Sequence, residues 1–325
     1  MRLWTRLWMR LWMRLWQWPR IGRRAVTAWL LSIDGTPQGA WVATGLALIS
    51  ALFHAIFGAM QKGRYDPWII RGAIDFWYLV LALPVAVFFV PWPSAQVWML
   101  LMGVFFIHLI YKILLAKAYA RAGYTVVYPV VRGTGPLATV VFAGFVFHEQ
   151  FTAWQWGGVA LLSGGIFALA GYNYRKTLIG RDVLLAALGF AVLTGVMVAV
   201  YTTYDAFGVR AAANPFTFII WFFVIDGMAF PAISFVLWRR MARPYAPIPL
   251  LRQGFLGALV ACVSFGGVML ATRLDKVGEA AVLRETSVIF AALIGWFVLR
   301  EPVGPRRLMI ILMIAAGAVV VEFGG

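Results

Sequence analysis

The sequence predicts an all-α membrane protein of ten transmembrane helices, arranged as two inverted five-helix repeats. Two observations carry that prediction. The first is composition: 63% of the 325 residues are hydrophobic and the mean hydropathy is +0.85, whereas soluble domains hold about 45–50% apolar residues. The second is an internal duplication. The segment VYPVVRGTGPLATVVFAGFVFHE ends at Glu149, and EAAVLRETSVIFAALIGWFVLRE ends at Glu301. Arg132 and Arg284 occupy the same place in the two copies, as do Gly165 and Gly317 further on. Each copy sets an arginine inside an apolar run.

A helix needs about twenty mostly apolar residues to cross a hydrocarbon core of about 30 Å. The first half, 41–172, supplies five such stretches: 41–60, 68–90, 98–115, 124–147 and 153–172. A basic linker with Arg175, Lys176 and Arg181 follows, and the second half, 182–323, supplies 182–203, 215–237, 253–272, 279–299 and 304–323. Backbone groups in lipid must pair within their own segment, so these stretches are expected to be helices. The first helices of the halves also correspond, since GLALISALFHAIFG from Gly45 resembles GFAVLTGVMVAVYT from Gly189 and sets Ser50 opposite Thr194. An odd number of spans per half makes the repeats enter the membrane in opposite directions.

Residues 1–37 stand outside the repeats. Residues 1–16 read MRLW, TRLW, MRLW, MRLW. That segment reads either as a basic, Trp-rich helix on an anionic membrane surface or as an extension from a mis-assigned start. An arginine every fourth residue excludes the apolar core of a signal peptide, and the run Ala25 to Leu31 is too short to span. The net charge of +16 sits at span ends and in short connections, where it sets topology and meets anionic headgroups, so no nucleic-acid partner is expected. Cys262 is read as core filler, and the three histidines lack any metal-binding spacing, so no metal or cofactor is expected.

Ionisable groups inside apolar spans are costly and normally face a cavity or a partner. Several here repeat at a spacing of four, which places both members on one helix face: Ser50 with His54, His108 with Lys112, Tyr128 with Arg132, and Tyr201 with Asp205. Four polar stripes on four helices predict a wet central cavity. Pro136 cannot donate to the carbonyl of Arg132, so the helix is expected to kink or open beside Arg132, Gly133 and Thr134. The functional reading gives Arg132 an anionic group of a solute, with Tyr128 and Thr134 beside it; the structural reading pairs Arg132 with Asp75 or Asp205. Arg284, with Ser287 one turn on, is its counterpart, and Glu285 points about 100° away from Arg284. Asp205, Asp226 and Glu285 are candidates for coupling to protons, or counter-ions to nearby cations. Glu149 and Glu301, at span ends, are read as structural. Trp68, Trp92, Trp98, Trp154, Trp156 and Trp238 fit an interfacial belt, and Gly157, Gly158, Gly164 and Gly165 fit close helix contact.

Duplicated hydrophobic halves with matched polar interruptions mark secondary transporters. In YPVVRGTGP at 128–136, RETS at 284–287, Glu149, Glu301 and YDAFGVR at 204–210, the chain resembles the drug/metabolite transporter superfamily, specifically its EamA-type ten-helix members. The resemblance implies a non-enzymatic, integral multi-pass protein of a bacterial cytoplasmic membrane, with a small-molecule solute and membrane lipids as partners and protons as a candidate coupling ion. It also implies both termini in the cytoplasm, whereas the Lys and Arg count in the connections favours the reverse orientation. The expected activity is secondary transport of a small polar, anionic or zwitterionic metabolite by alternating access. The solute site is expected between the third, fourth, eighth and ninth spans, from Arg132, Arg284, Tyr128, Thr134, Ser287, Tyr201, His108 and Lys112. A lipid-carrier flippase or a drug exporter of the same fold are the alternatives. A different class, an intramembrane aspartyl protease, rests on Tyr204-Asp205 with Asp75 or Asp226 as a mate, but its second motif, GxGD, is absent.

Overall fold

The computed structural model describes residues 25–60, 65–122, 124–174, 181–297 and 304–325. The MRLW repeat, the linker cations Arg175 and Lys176, and Glu301 lie outside the described residues. Every regular element among those described is a helix: α1 (residues 25–33), α2 (Pro37–Met60), α3 (Pro67–Phe88), α4 (Ala95–Tyr119), α5 (Tyr124–Phe147), α6 (Ala153–Tyr174), α7 (Arg181–Ala211), α8 (Pro215–Asp226), α9 (Ala229–Arg239), α10 (Pro247–Leu274), α11 (Val277–Arg284), α12 (Ser287–Phe297) and α13 (Pro305–Phe323). Polar side chains open several of them. Asp66 accepts from the amides of Trp68 and Ile69 at 2.9 and 3.4 Å, Ser94 from Val97 at 3.3 Å, and Asn214 from Phe216 at 3.0 Å.

Seven helical segments are long and apolar enough to cross a membrane: α2, α3, α4, Val127–Phe147 of α5, Asp182–Ala211 of α7, Pro215–Arg239 across α8 and α9, and α10. Shorter apolar helices cover Ala153–Leu169 and Leu308–Phe323. The expected ninth span is divided. α11 stops at Arg284 and α12 starts at Ser287, because the amides of Glu285 and Thr286 turn back to the carbonyls of Val282 and Leu283 in a tighter turn.

Two features of this backbone differ from expectation. First, α5 runs unbroken across Pro129 and Pro136, so the expected opening beside Arg132 does not interrupt it. Second, the expected seventh span breaks at Gly227 and Met228. The amide of Gly227 bonds to the Phe223 carbonyl and that of Met228 turns back more tightly to Ile225, and Pro231 sits in the first turn of α9, where no N–H is needed. A Cβ on Gly227 would sit 2.7 Å from the Asp75 carbonyl oxygen, so α3 passes directly against the break.

The helices pair as α2 with α10, α5 with α7, α4 with α7, and α6 with α13, while α3 packs on α8, α9 and α10. α11 and α12 lie against α2 and, for α11, α5. The main core gathers Tyr78, Leu101, Phe218, Phe222 and Ala258. A second joins Val159, Leu162 and Ile166 to Ile314, Ala318 and Val321. Here Gly158 and Gly317 meet backbone to backbone, and Gly165 faces Ile314, whereas Gly157 and Gly164 have nothing within 4 Å. Two of the four expected contact glycines therefore serve packing. α1 folds back so that Leu30 and Ile33 join Ala43, Ala47 and Leu274. Large apolar side chains such as Phe145, Trp154 and Ile248 are exposed on the outer surface, as in a protein whose solvent is lipid.

Candidate functional site

A cavity of about 330 Å³ opens among α2, α3, α4, α5, α7, α9 and α10. Its charged lining is Arg71, Lys112 and Arg132, with His54 beside them, and five tyrosines (Tyr65, Tyr111, Tyr119, Tyr128 and Tyr201) complete the polar wall. No carboxylate lines it among the described residues. It reaches Tyr65 and Ala122, in the connections that follow α2 and α4. The third, fourth and eighth spans (α4, α5 and α10) line this cavity together with α2, α3, α7 and α9.

The acids sit behind this wall, and each is engaged. On α3, Arg71 and Asp75 are one turn apart and pair at 2.9 Å. Lys112 Nζ reaches Asp75 Oδ2 at 2.5 Å and Asp226 Oδ1 at 2.7 Å. It also donates to the backbone carbonyl of Asp226 at 2.6 Å. That carbonyl lies at the C-terminal end of α8, where helix-end oxygens lack intrahelical partners and the dipole favours a cation. The break at Gly227 therefore makes the Lys112 seat. Arg71 also approaches Asp226 Oδ2 at 3.4 Å. His108 stands between two acids, with Nε2 3.0 Å from Asp205 and Nδ1 3.5 Å from Asp226. The imidazole intervenes between Asp205 and Asp226, an arrangement unlike the shared-proton carboxylate pair of an aspartyl protease.

Arg132 pairs across the two halves of the chain. Its Nη1 lies 2.7 Å from Glu285 Oε1, and its guanidinium carbon is 5.4 Å from the Tyr128 ring centre. Neither expected partner, Asp75 nor Asp205, takes it, because Lys112, Arg71 and His108 already hold them. Arg284 differs from its counterpart. Among the described residues no carboxylate lies in ion-pair range of it; its guanidinium nitrogen sits 3.4 Å from His54 Nδ1 and its carbon 4.7 Å from the Phe265 ring centre. Arg284 Nε is buried without a hydrogen-bond partner, as is Asp205 Oδ1, and both residues line one small void.

Of the residues singled out in the sequence, Arg132, Tyr128, Tyr201 and Lys112 line the cavity. His108, Asp205 and Asp226 form the network behind it, and Ser287 comes within 3.5 Å of the Tyr128 hydroxyl. Thr134 does not join the site: it donates to Val130 O at 2.9 Å, and its side chain fills the space over Gly195 of α7. Ser50 faces α10 instead, donating to Ser264 O at 2.6 Å while Ser264 donates to Ser50 O at 3.0 Å. Arg71 escaped the sequence reading, although Arg71 and Asp75 show the same spacing of four that exposed the other stripes. The tyrosines from the helix ends, Tyr65 and Tyr119, carried no periodic signal.

At the other end of these helices a polar seam joins several elements. Glu149 accepts from the amides of Val277 and Gly278 at 2.6 and 3.0 Å, capping α11 from the α5–α6 connection. His148, at φ 57°, turns the chain out of α5 to present it. Burial raises the Glu149 carboxyl above its ordinary range, against the pull of those two amides and Arg210. Arg210 in turn donates to the carbonyls of Thr272 and Asp275 at 2.9 and 2.7 Å. Gln155 bridges to Glu279 at 2.7 Å.

The model of the EamA-like transporter family matches residues 185–323, from early α7 to the end of α13. This stretch of the chain is similar to that family. That family is part of the drug/metabolite transporter superfamily, and the EamA-like region contributes Tyr201, Asp205, Asp226, Arg284 and Glu285 to the geometry above. No curated protein matches the chain. It is similar in fold to a solved structure titled only "Crystal structure of protein", with a TM-score of 0.70 and 17% identity, covering 87% of this chain and 99% of that one. With its long apolar helices, the chain is an integral membrane protein whose second half is similar to a transporter family.

Proposed function

We propose that this EamA-like protein is a secondary transporter of a small polar metabolite carrying an anionic group, working by alternating access. The observation that carries this reading is the cavity wall, which presents Arg71, Lys112 and Arg132 and, among the described residues, no carboxylate. A site built for cationic drugs would place acids in the lining. Guanidinium groups suit carboxylates and phosphates because their fork can meet two oxygens at once. The tyrosines offer hydroxyls and ring faces to the remainder of the solute.

Two five-helix repeats, 41–172 and 182–323, related by a pseudo-twofold axis in the membrane plane, account for how such a carrier would move. The helix pairings support that reading. Exchanging the halves converts α2 on α10 into α7 on α4, and α5 on α7 into α11 and α12 on α2; the pairs α6 on α13 and α3 on α8 and α9 exchange with themselves. The cavity reaches the connections at one end, and the Glu149–Arg210 seam closes the other, as one state of an alternating cycle requires.

Thermal unfolding of the purified protein against anionic, zwitterionic and cationic metabolites tests the reading. A ligand at a hundred times its dissociation constant stabilises by about 2.7 kcal/mol. The expected result is stabilisation by one anionic class, lost in Arg132→Gln. Stabilisation by cations or lipids alone would overturn it.

A further inference from the structure

We infer that Glu285 is a built-in competitor for the solute: its carboxylate holds Arg132 in the empty carrier, and a proton on Glu285 releases Arg132 to the solute anion. This rests on the anion-carrier reading above. Its consequence is that solute and proton bind together, and that a monovalent anion crosses with one proton and no net charge.

The geometry is that of a single, replaceable contact. Arg132 lines the cavity, so the guanidinium is within reach of whatever the cavity holds. It meets Glu285 through one oxygen only, Nη1 to Oε1 at 2.7 Å. The second nitrogen, Nη2, and the second oxygen, Oε2, are both buried without a hydrogen-bond partner. A pair made to fix packing would engage both forks, since an arginine and a carboxylate join most strongly through two parallel bonds. Here half of each group's capacity is unspent, and Nη2 is the half that a solute carboxylate would take first.

Glu285 also sits where movement is easiest. It lies in the tight turn between α11 and α12, so its backbone is not locked into a continuous helix. Arg132, by contrast, is fixed on the uninterrupted α5. The groups facing Glu285 are Arg132 from α5 and Arg284 on its own element. Behind Arg284 stand His54 from α2 and Asp205 from α7, which shares a small void with it. Tyr128 from α5 lies against Ser287. Of the charged groups near the ends of α10 and α13, Arg273 pairs with Asp34, Asp275 accepts from the Lys276 amide, and Glu322 accepts from Thr44.

Losing the carboxylate from a buried arginine is costly unless another anion replaces it. Protonated Glu285 with no solute leaves Arg132 unpaired, and bound solute with ionised Glu285 places two anions on one guanidinium. Both intermediates are disfavoured, so the stable states are ionised Glu285 without solute and protonated Glu285 with it. The proton adds to a Glu285 oxygen as the Arg132 contact breaks, and leaves it as the contact re-forms. By linkage, solute affinity falls as pH rises through the titration of Glu285, and bound solute makes Glu285 harder to deprotonate.

The test uses the full-length protein in detergent, with benzoate, lactate and methanesulfonate as probes between about pH 6 and 9, where these anions stay ionised. The expected result is an apparent Kd that weakens about tenfold per pH unit above the Glu285 titration. In Glu285→Gln the binding should be tighter and flat with pH. In vesicles, an inward proton gradient should accumulate the bound probe, and a potassium diffusion potential should not. A pH-independent wild-type Kd overturns the proposal, as does an unchanged pH slope in Glu285→Gln or uptake driven by the potential. A wild type that binds none of these anions at any pH overturns the anion-carrier reading itself.

Discussion

Replacing Gly317 by alanine should loosen the α6–α13 pair, and replacing Gly164 should not. A Cβ on Gly317 would lie 2.6 Å from the Leu162 amide nitrogen and 2.7 Å from the Gly158 carbonyl oxygen, where ordinary contact begins at 3.4 Å. Both obstructing atoms are backbone, so no side chain can rotate away, and the two helices must separate by most of an ångström. Overpacking of this kind costs about 1–3 kcal/mol. Against it stands the preference of helices for alanine over glycine, up to about 1 kcal/mol. Gly164, on the partner helix α6, has nothing within 4 Å of its would-be Cβ and keeps only the gain. Thermal unfolding in detergent, followed by size-exclusion fluorescence, should therefore place Gly164→Ala at or above the wild type and Gly317→Ala below it. At roughly 2–4 °C per kcal/mol, the difference is several degrees. Equal midpoints for the two variants would refute the close backbone approach between α6 and α13.

Two further outcomes follow from the ion networks. Lys112→Met should destabilise by about 3–5 kcal/mol in the same assay, because it strips Asp75 and Asp226 of their closest cation; adding Asp75→Asn should recover part of the loss. Glu149, raised by burial above its ordinary value of 4.5, binds its proton more tightly in the folded state. Its contribution is fully present below the unfolded value and is lost as pH rises through the native one. The stability of the wild type relative to Glu149→Gln should thus fall across that window in pH-resolved unfolding, and a constant difference would contradict the assignment.

Part of the cavity wall and of the charge network behind it was legible in the sequence. The spacing of four on apolar helices picked out Tyr128 with Arg132 and His108 with Lys112 because helical periodicity alone puts such residues on one face. The partners were less legible. Arg132 meets Glu285, more than 150 positions away, and nothing local distinguishes that acid from Asp75 or Asp205. The helix break was misplaced for a physical reason as well. Pro136 removes one donor from α5, but the helix runs on across it. The stretch read as one continuous seventh span breaks instead at Gly227 and Met228.

Composition was enough to establish a membrane protein of apolar helices, since hydropathy is a property of the chain itself. Residue order was also enough to place cations inside those helices. Which cations face the cavity, and which acids answer them from behind, depended on how α3, α4, α5 and α8 cross and on the carbonyl exposed where α8 ends. Electrostatic pairing acts over a few ångströms between residues remote in the chain. Packing therefore set Arg71, Lys112 and Arg132 on the cavity wall with Asp75, Asp226 and Glu285 behind them, and left Arg284 without an ion pair among the described residues.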